Sequence, residues 1–156
     1  MNATEYAAID WTKRKRACVS VDFDGVLHSY ESGWQGATVI PDAPVPGAFT
    51  WLSTLVESFD VFIVTTRLNH AGAKQAIRDW FITHGLPMSV LDRVDFAEGI
   101  KPPSIVMVDD RAFRFEGVFP SVGELRALKP WYKARVLPGE AQWDNESASP
   151  PERSEE

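Results

Sequence analysis

The chain has 156 residues, 44% hydrophobic and 24% charged: the length of one compact domain and the composition of an ordinary globular protein. A single cysteine, Cys18, excludes a disulfide framework and any multi-thiolate zinc site. No apolar stretch approaches the roughly 20 residues of a membrane span, and without a signal-peptide pattern at the start the expected location is cytoplasmic.

The formal charge of -6 is unevenly spread. Residues 138–156 carry six acids against Arg153 and are rich in Pro, Ser and Gly, the composition of a disordered acidic tail. Residues 1–16 form a lead-in ending in Lys13, Arg14, Lys15 and Arg16, expected as a solvated approach to a buried strand, with contact to phosphates or RNA the alternative. The domain proper, residues 17–137, is near neutral once its two aspartate motifs are set aside. That is not the basic face of a nonspecific nucleic-acid binder.

Residues 17–23 read as a strand, β-branched and bounded by Gly25, with Cys18 as a small core residue. Residues 46–59 have helical spacing, with Phe49, Leu52, Leu55 and Val56 on one stripe. A second strand is expected over 61–64. Asn69 is the expected N-cap of a helix carrying Ala73, Ile77, Trp80 and Phe81, which Gly85 and Pro87 stop. Another strand is expected over 90–96, a strong one over 105–108, and an edge strand from Val118. Residues 122–128 form a short helix closed by Pro130. Trp51 and Trp80 fall on helix faces turned to the core, and Trp131-Tyr132 is expected over a sheet edge.

This order predicts an α/β fold, Rossmann-like, with a mostly parallel sheet and helices on both faces. In such folds the strand C-termini line one edge, where ligands bind. Neither a phosphate-binding loop of the G-x-x-x-x-G-K-[ST] kind nor G-x-G-x-x-G is present, which disfavours the usual kinase and dehydrogenase modes.

The first strand runs into Asp22-Phe23-Asp24-Gly25, the second into Thr65-Thr66-Arg67, and the strong later one into Asp109-Asp110-Arg111, with Lys101 eight residues before Asp109. Strand periodicity puts Asp22 and Asp24 on one side, with Phe23 on the other. Gathered in one crevice, four carboxylates raise one another's pKa unless a cation offsets them. Hard oxygen donors suit Mg²⁺. His28 is either a polar loop residue or, on the zinc alternative, a ligand. Aspartates around a metal, with a lysine and hydroxyls nearby, suit phosphoryl transfer, whose transition state loads charge on three oxygens.

These four segments, Val-Asp22-Phe-Asp24-Gly25-Val, Val-Thr65-Thr66-Arg67, Lys101 and Val-Asp109-Asp110, resemble the ordered motifs of the haloacid dehalogenase-like (HAD) phosphohydrolase superfamily over residues 17–111. The resemblance implies an Mg²⁺-dependent phosphomonoester hydrolase. Asp22 would be the nucleophile and a metal ligand, and Asp24 the general acid/base with its carbonyl on the metal. Thr65 would bind a phosphoryl oxygen and Lys101 would offset charge. At least one of Asp109 and Asp110 would hold the metal, directly or through water, with Asp109 the expected ligand and Asp110 the alternative. Gly25, Thr66 and Arg67 are candidate substrate contacts; Arg67 has an equal rival reading as the partner of a carboxylate, and Arg111 reads as a salt-bridge partner. Thr66 stands where many relatives carry Gly or Asn.

Neither insertion slot of that superfamily has room here for a cap domain. The first, between Gly25 and Pro46, holds about 20 residues, enough for a small flap. Capless relatives act on bulky substrates, so the implied partner is a phosphorylated substrate such as a nucleotide or a nucleic-acid 3′-phosphate end, with no membrane. Tyr30, Trp34 and His28 would stack on a base or sugar, or Trp34 would pack the flap onto the body. A catalytically silent binding module and a phosphotransferase to an acceptor other than water are the alternatives.

Overall fold

A computed structural model describes residues 4–5, 10–11 and 14–134 of the chain. The elements are β1 (Cys18–Val21), α1 (Ala48–Ser58), β2 (Asp60–Ile63), a 3-10 helix (Thr66–Asn69), α2 (Ala73–Thr83), α3 (Met88–Leu91), β3 (Val94–Phe96), β4 (Ser104–Val108), α4 (Val122–Ala127) and a last 3-10 turn (Trp131–Ala134). The four strands form one all-parallel sheet in the order β3-β2-β1-β4. The expected α/β class and parallel sheet are therefore present. Lys13 and the acidic tail fall outside the described residues.

Strand periodicity divides the core into two layers. Val19 and Val21 of β1 and Val61 and Ile63 of β2 join Leu52 and Val56 of α1 and Ile77, Trp80 and Phe81 of α2 in one cluster. Cys18 and Phe62 point the other way, to a smaller cluster with Ala97, Trp11, Val64 and Ile100. Both long helices thus lie on one face, which corrects the expectation of helices on both. Connection handedness gives the reason. The steps β1 to β2 and β2 to β3 run in one direction, so right-handed crossovers place α1 and α2 on the same side. The step from β3 to β4 turns back across the sheet, and residues 97–103 make it without a helix.

Four local expectations are also corrected. Residues 88–91 coil into α3, so the third strand starts at Val94 rather than at 90. Gly72, at φ +80°, is the N-cap of α2, while Asn69 ends the preceding 3-10 helix. Val118 sits in a bend and is 78% exposed instead of opening a strand. Trp51 is exposed on α1, whereas Trp80 is buried as expected. Ser121 caps α4 through a reciprocal capping box with Glu124.

Arg14 is tied down rather than solvated. It pairs with Asp60 at 2.7 Å and lies over the rings of Trp11 and Phe62. Arg16 donates to the Val56 carbonyl at 3.0 Å. β4 is an edge strand: among the described residues it pairs only with β1, and Ile105, Val106 and Met107 are all exposed. No helix of the described residues is long and apolar enough to cross a membrane.

Phe23 is fully buried between the two aspartates of its motif. Its ring packs against His28, Trp80 and Phe81 at centroid distances of 5.5, 5.0 and 5.8 Å. Phe23→Ala is expected to cost about 3–5 kcal/mol in urea unfolding, whereas Ile82→Ala, at a half-exposed position of α2, shifts stability by less than about 0.5 kcal/mol.

Candidate functional site

The strand order reverses between β1 and β4, and the chain leaves both strands there with aspartates. Asp22 stays on the ladder through its N–H, which donates to the Val108 carbonyl at 2.9 Å. This brings residues 22 and 109 to the same end of adjacent strands. A cleft of about 290 Å³ opens at that point, lined by Asp22, Asp24, Tyr30, Trp34, Val64, Thr65, Thr66, Met107, Asp109 and Arg111. A reversal point at the strand C-termini is where open parallel sheets bind ligands.

Asp22, Asp109 and Asp110 each place a carboxylate oxygen within 4.8 Å of the others. Burial pushes Asp22 up to about 7, and the charges of Asp109, Asp110 and Asp24 push it in the same direction, against a hydrogen bond from the Phe23 N–H. Asp110 is also raised, mainly by burial. Its side chain is 1% exposed, with Arg111 Nε 3.7 Å from Oδ2 and, among the described residues, no partner at hydrogen-bond geometry for either oxygen. Asp109 differs, since its Oδ1 accepts the Arg111 N–H at 2.7 Å and so shapes the turn after β4. Two buried carboxylate oxygens without donors, beside two further carboxylates, form a hard-oxygen set that a divalent cation fits.

Asp24 is the opposite case. Its Oδ1 faces His28 Nδ1 at 2.8 Å and its Oδ2 accepts from Arg67 Nε at 2.7 Å. The Asp42 N–H donates to His28 Nε2 at 3.2 Å, so Nδ1 carries the ring proton and donates to Asp24. Burial works against the charge of Asp24, yet these two donors outweigh it and hold the carboxyl below its usual range. His28 is the expected polar residue of the loop after β1, but fully buried, and it bridges Asp24 to the flap.

Arg67 takes the second of its two expected roles. Its side chain is fully buried and absent from the cleft lining. Besides Asp24, it donates from Nη1 to the carbonyls of Gly36, Ala37 and Val39 at 2.7, 3.1 and 3.1 Å. Nη2 has no hydrogen-bond acceptor, but the guanidinium lies 4.8 Å from the Trp34 ring centroid, a cation–π contact. One buried cation therefore ties the flap to the sheet. Trp34 does pack the flap on the body, while half of it stays exposed.

Thr65 and Thr66 line the cleft as expected. Thr65 caps the following 3-10 helix, its Oγ1 accepting the Arg67 N–H at 3.3 Å. Gly25 is not on the lining. At φ +83° it turns the chain beneath Tyr132, and a Cβ there would stand 2.6 Å from Tyr132 Cε1 and 2.8 Å from Asp110 Oδ2. The last 3-10 turn thus covers this corner and not the expected sheet edge, with Trp131 Nε1 donating to the Gly25 carbonyl at 2.6 Å. Lys101 is not brought to the cleft lining either. Its neighbour Ile100 packs on the far face with Cys18, and Ser104, three residues on, pairs with Cys18 where β1 begins.

Fold and site together define an α/β protein with an aspartate-lined cleft at the reversal point of a parallel sheet. Compared with known proteins, the chain has no match: no family model, no curated protein and no solved structure is similar to it.

The raised Asp22 implies a pH effect of definite sign. The folded state keeps a proton that the unfolded chain gives up near pH 4, so this group's contribution to stability falls as pH rises from about 4 to about 7. Asp22→Asn removes the penalty. In chelator, the variant is expected to melt about 5 °C above the parent at pH 8, a gain of about 2 kcal/mol, with the advantage shrinking as pH falls and little of it left by about pH 4.

Proposed function

We propose that the protein is a Mg²⁺-dependent phosphomonoester hydrolase acting through an aspartyl-phosphate on Asp22. One observation carries the reading: Asp22 and Asp109, two members of a carboxylate trio completed by the buried Asp110, line the same cleft as a fourth aspartate of opposite electrostatic character, Asp24, and Thr65. The motif resemblance to the HAD superfamily and the parallel sheet that carries those motifs support it. Asp22, Asp109 and Asp110 would hold Mg²⁺, which when bound acts as a Lewis acid toward phosphoryl oxygens.

In the first half-reaction an Asp22 oxygen forms a bond to phosphorus while the bond from phosphorus to the leaving oxygen breaks, and that oxygen takes up a proton that Asp24, ionised at rest, relays from solvent water. In the second, water attacks the aspartyl-phosphate, Asp24 accepts its proton, and inorganic phosphate leaves with Asp22 restored. His28 and Arg67 preset Asp24 for the second role, because their hydrogen bonds favour the ionised carboxylate. Thr65 is placed to donate to a phosphoryl oxygen. The flap, fastened by Arg67, forms the cleft wall bearing Tyr30 and Trp34. Those two rings suit a substrate with a base or sugar, in keeping with a nucleotide or nucleic-acid 3′-phosphate end.

A binding module without turnover is the second reading, and the absence of Lys101 from the cleft lining favours it. A panel of nucleotides, 3′- and 5′-phosphorylated oligonucleotides, sugar phosphates and phosphopeptides with Mg²⁺ decides between them. Phosphate release is expected from at least one class, reduced by about 1000-fold or more in Asp22→Asn and by about 100-fold in Asp24→Asn. Undiminished turnover by Asp22→Asn removes the nucleophile assignment. A Mg²⁺-dependent rise in Tm with no ester cleaved establishes the module.

A further inference from the structure

The cleft lining holds three carboxylates and, among the described residues, a single cation, Arg111. An anion entering this space meets like charge unless something offsets it, and an arginine fork matches phosphate geometry better than any other side chain. We propose that Arg111 is the residue that binds the oxyanion of the substrate, in place of Lys101. This inference rests on the phosphate-ester reading above.

The position of the guanidinium supports the assignment. The Arg111 N–H is held by Asp109 Oδ1, so the residue is anchored to the aspartate turn itself. Its Nη2 donates to the Tyr132 hydroxyl, and its Nε stands 3.7 Å from Asp110 Oδ2. Tyr132 is in turn buried against the Gly25 turn, and the Trp131 indole is fastened to the Gly25 carbonyl. One edge of the fork is thereby fixed. The side chain is 56% exposed and lines the cleft. The other basic residues near this end lack that freedom of approach: Arg67 is fully buried under the flap, and Lys101 is off the lining.

The test is calorimetric titration of inorganic phosphate into the full chain with Mg²⁺, alongside kinetics on whichever ester the panel identifies. Arg111→Gln is expected to weaken phosphate binding about 10- to 100-fold and to raise KM similarly, with a smaller fall in kcat. Arg111→Lys keeps the charge and recovers part of the loss. Tyr132→Phe, which loses only the hydroxyl, weakens binding by a few-fold. Lys101→Met changes it less than twofold. If Arg111→Gln does not fold, a loss of affinity in Arg111→Lys against an unchanged Lys101→Met supports the proposal in its place. The proposal is overturned if phosphate does not bind the parent protein, if Lys101→Met weakens binding more than the Arg111 variants do, or if Arg111→Gln lowers Tm while leaving phosphate affinity intact. Phosphate bound through Arg111 with no ester cleaved keeps this site and removes the hydrolase reading. Turnover indifferent to Arg111 does the reverse.

Discussion

Asp24 accepts hydrogen bonds from two fully buried side chains, and much of the cleft's architecture follows from that pair of contacts. A buried charge is tolerated when its partners are fixed and its lone pairs are satisfied. Here the partners reach it from different parts of the chain. His28 comes from the flap and is itself held by the Asp42 backbone; Arg67 comes from the 3-10 helix after β2 and also grips three flap carbonyls. The carboxylate is thus the point where sheet, flap and helix are joined. Breaking one contact leaves a second buried charge without its partner, so the flap and the aspartate are held as one unit.

The neighbouring aspartates show the complementary condition. Asp22 has no such donors, and Asp110 has only Arg111 at 3.7 Å; burial pushes both toward the protonated form. A fold gains no stability from such an arrangement when it is empty of countercharge. One carboxylate at this end of the sheet is thus compensated by a buried cation, while Asp22, Asp109 and Asp110 together face only Arg111. That asymmetry is what supports the proposal of a base role for Asp24 and of cation-holding and nucleophilic roles for the trio.

Much of this was legible in the residues. Short apolar runs followed by Asp22-Phe23-Asp24 and Asp109-Asp110 placed the strands within a residue or two and put their carboxylates at the strand ends. Alternation along β1 and β2 set the two faces. What did not show were contacts that depend on the path between elements. Lys101 follows β3 closely, yet the connection to β4 crosses the far face without a helix, which carries it off the cleft lining. The reach of Arg67 to Gly36, Ala37 and Val39 spans about thirty residues, and that of Tyr132 to Gly25 spans over a hundred. Val90 is β-branched and apolar, but Pro87 starts a helical turn there and tertiary context overrides strand propensity.

β4 sharpens the distinction between what stabilises the fold and what positions the site. Its run Ile105-Val106-Met107 reads as a buried strand, but the strand stands at the sheet edge with those side chains exposed, so packing contributes little to holding it. Its register with β1 holds it instead: Val19 to Val106, Ser20 to Met107 and Val21 to Val108 are paired, and the Asp22 N–H extends the ladder one step further. A hydroxyl contact at 2.6 Å between Ser20 and Ser104 links the same two strands from their side chains. A slip of one residue would turn Asp109 to the opposite face of the sheet. Precision at the aspartate trio is therefore a property of backbone pairing between β1 and β4, and it survives at an edge that the core barely covers.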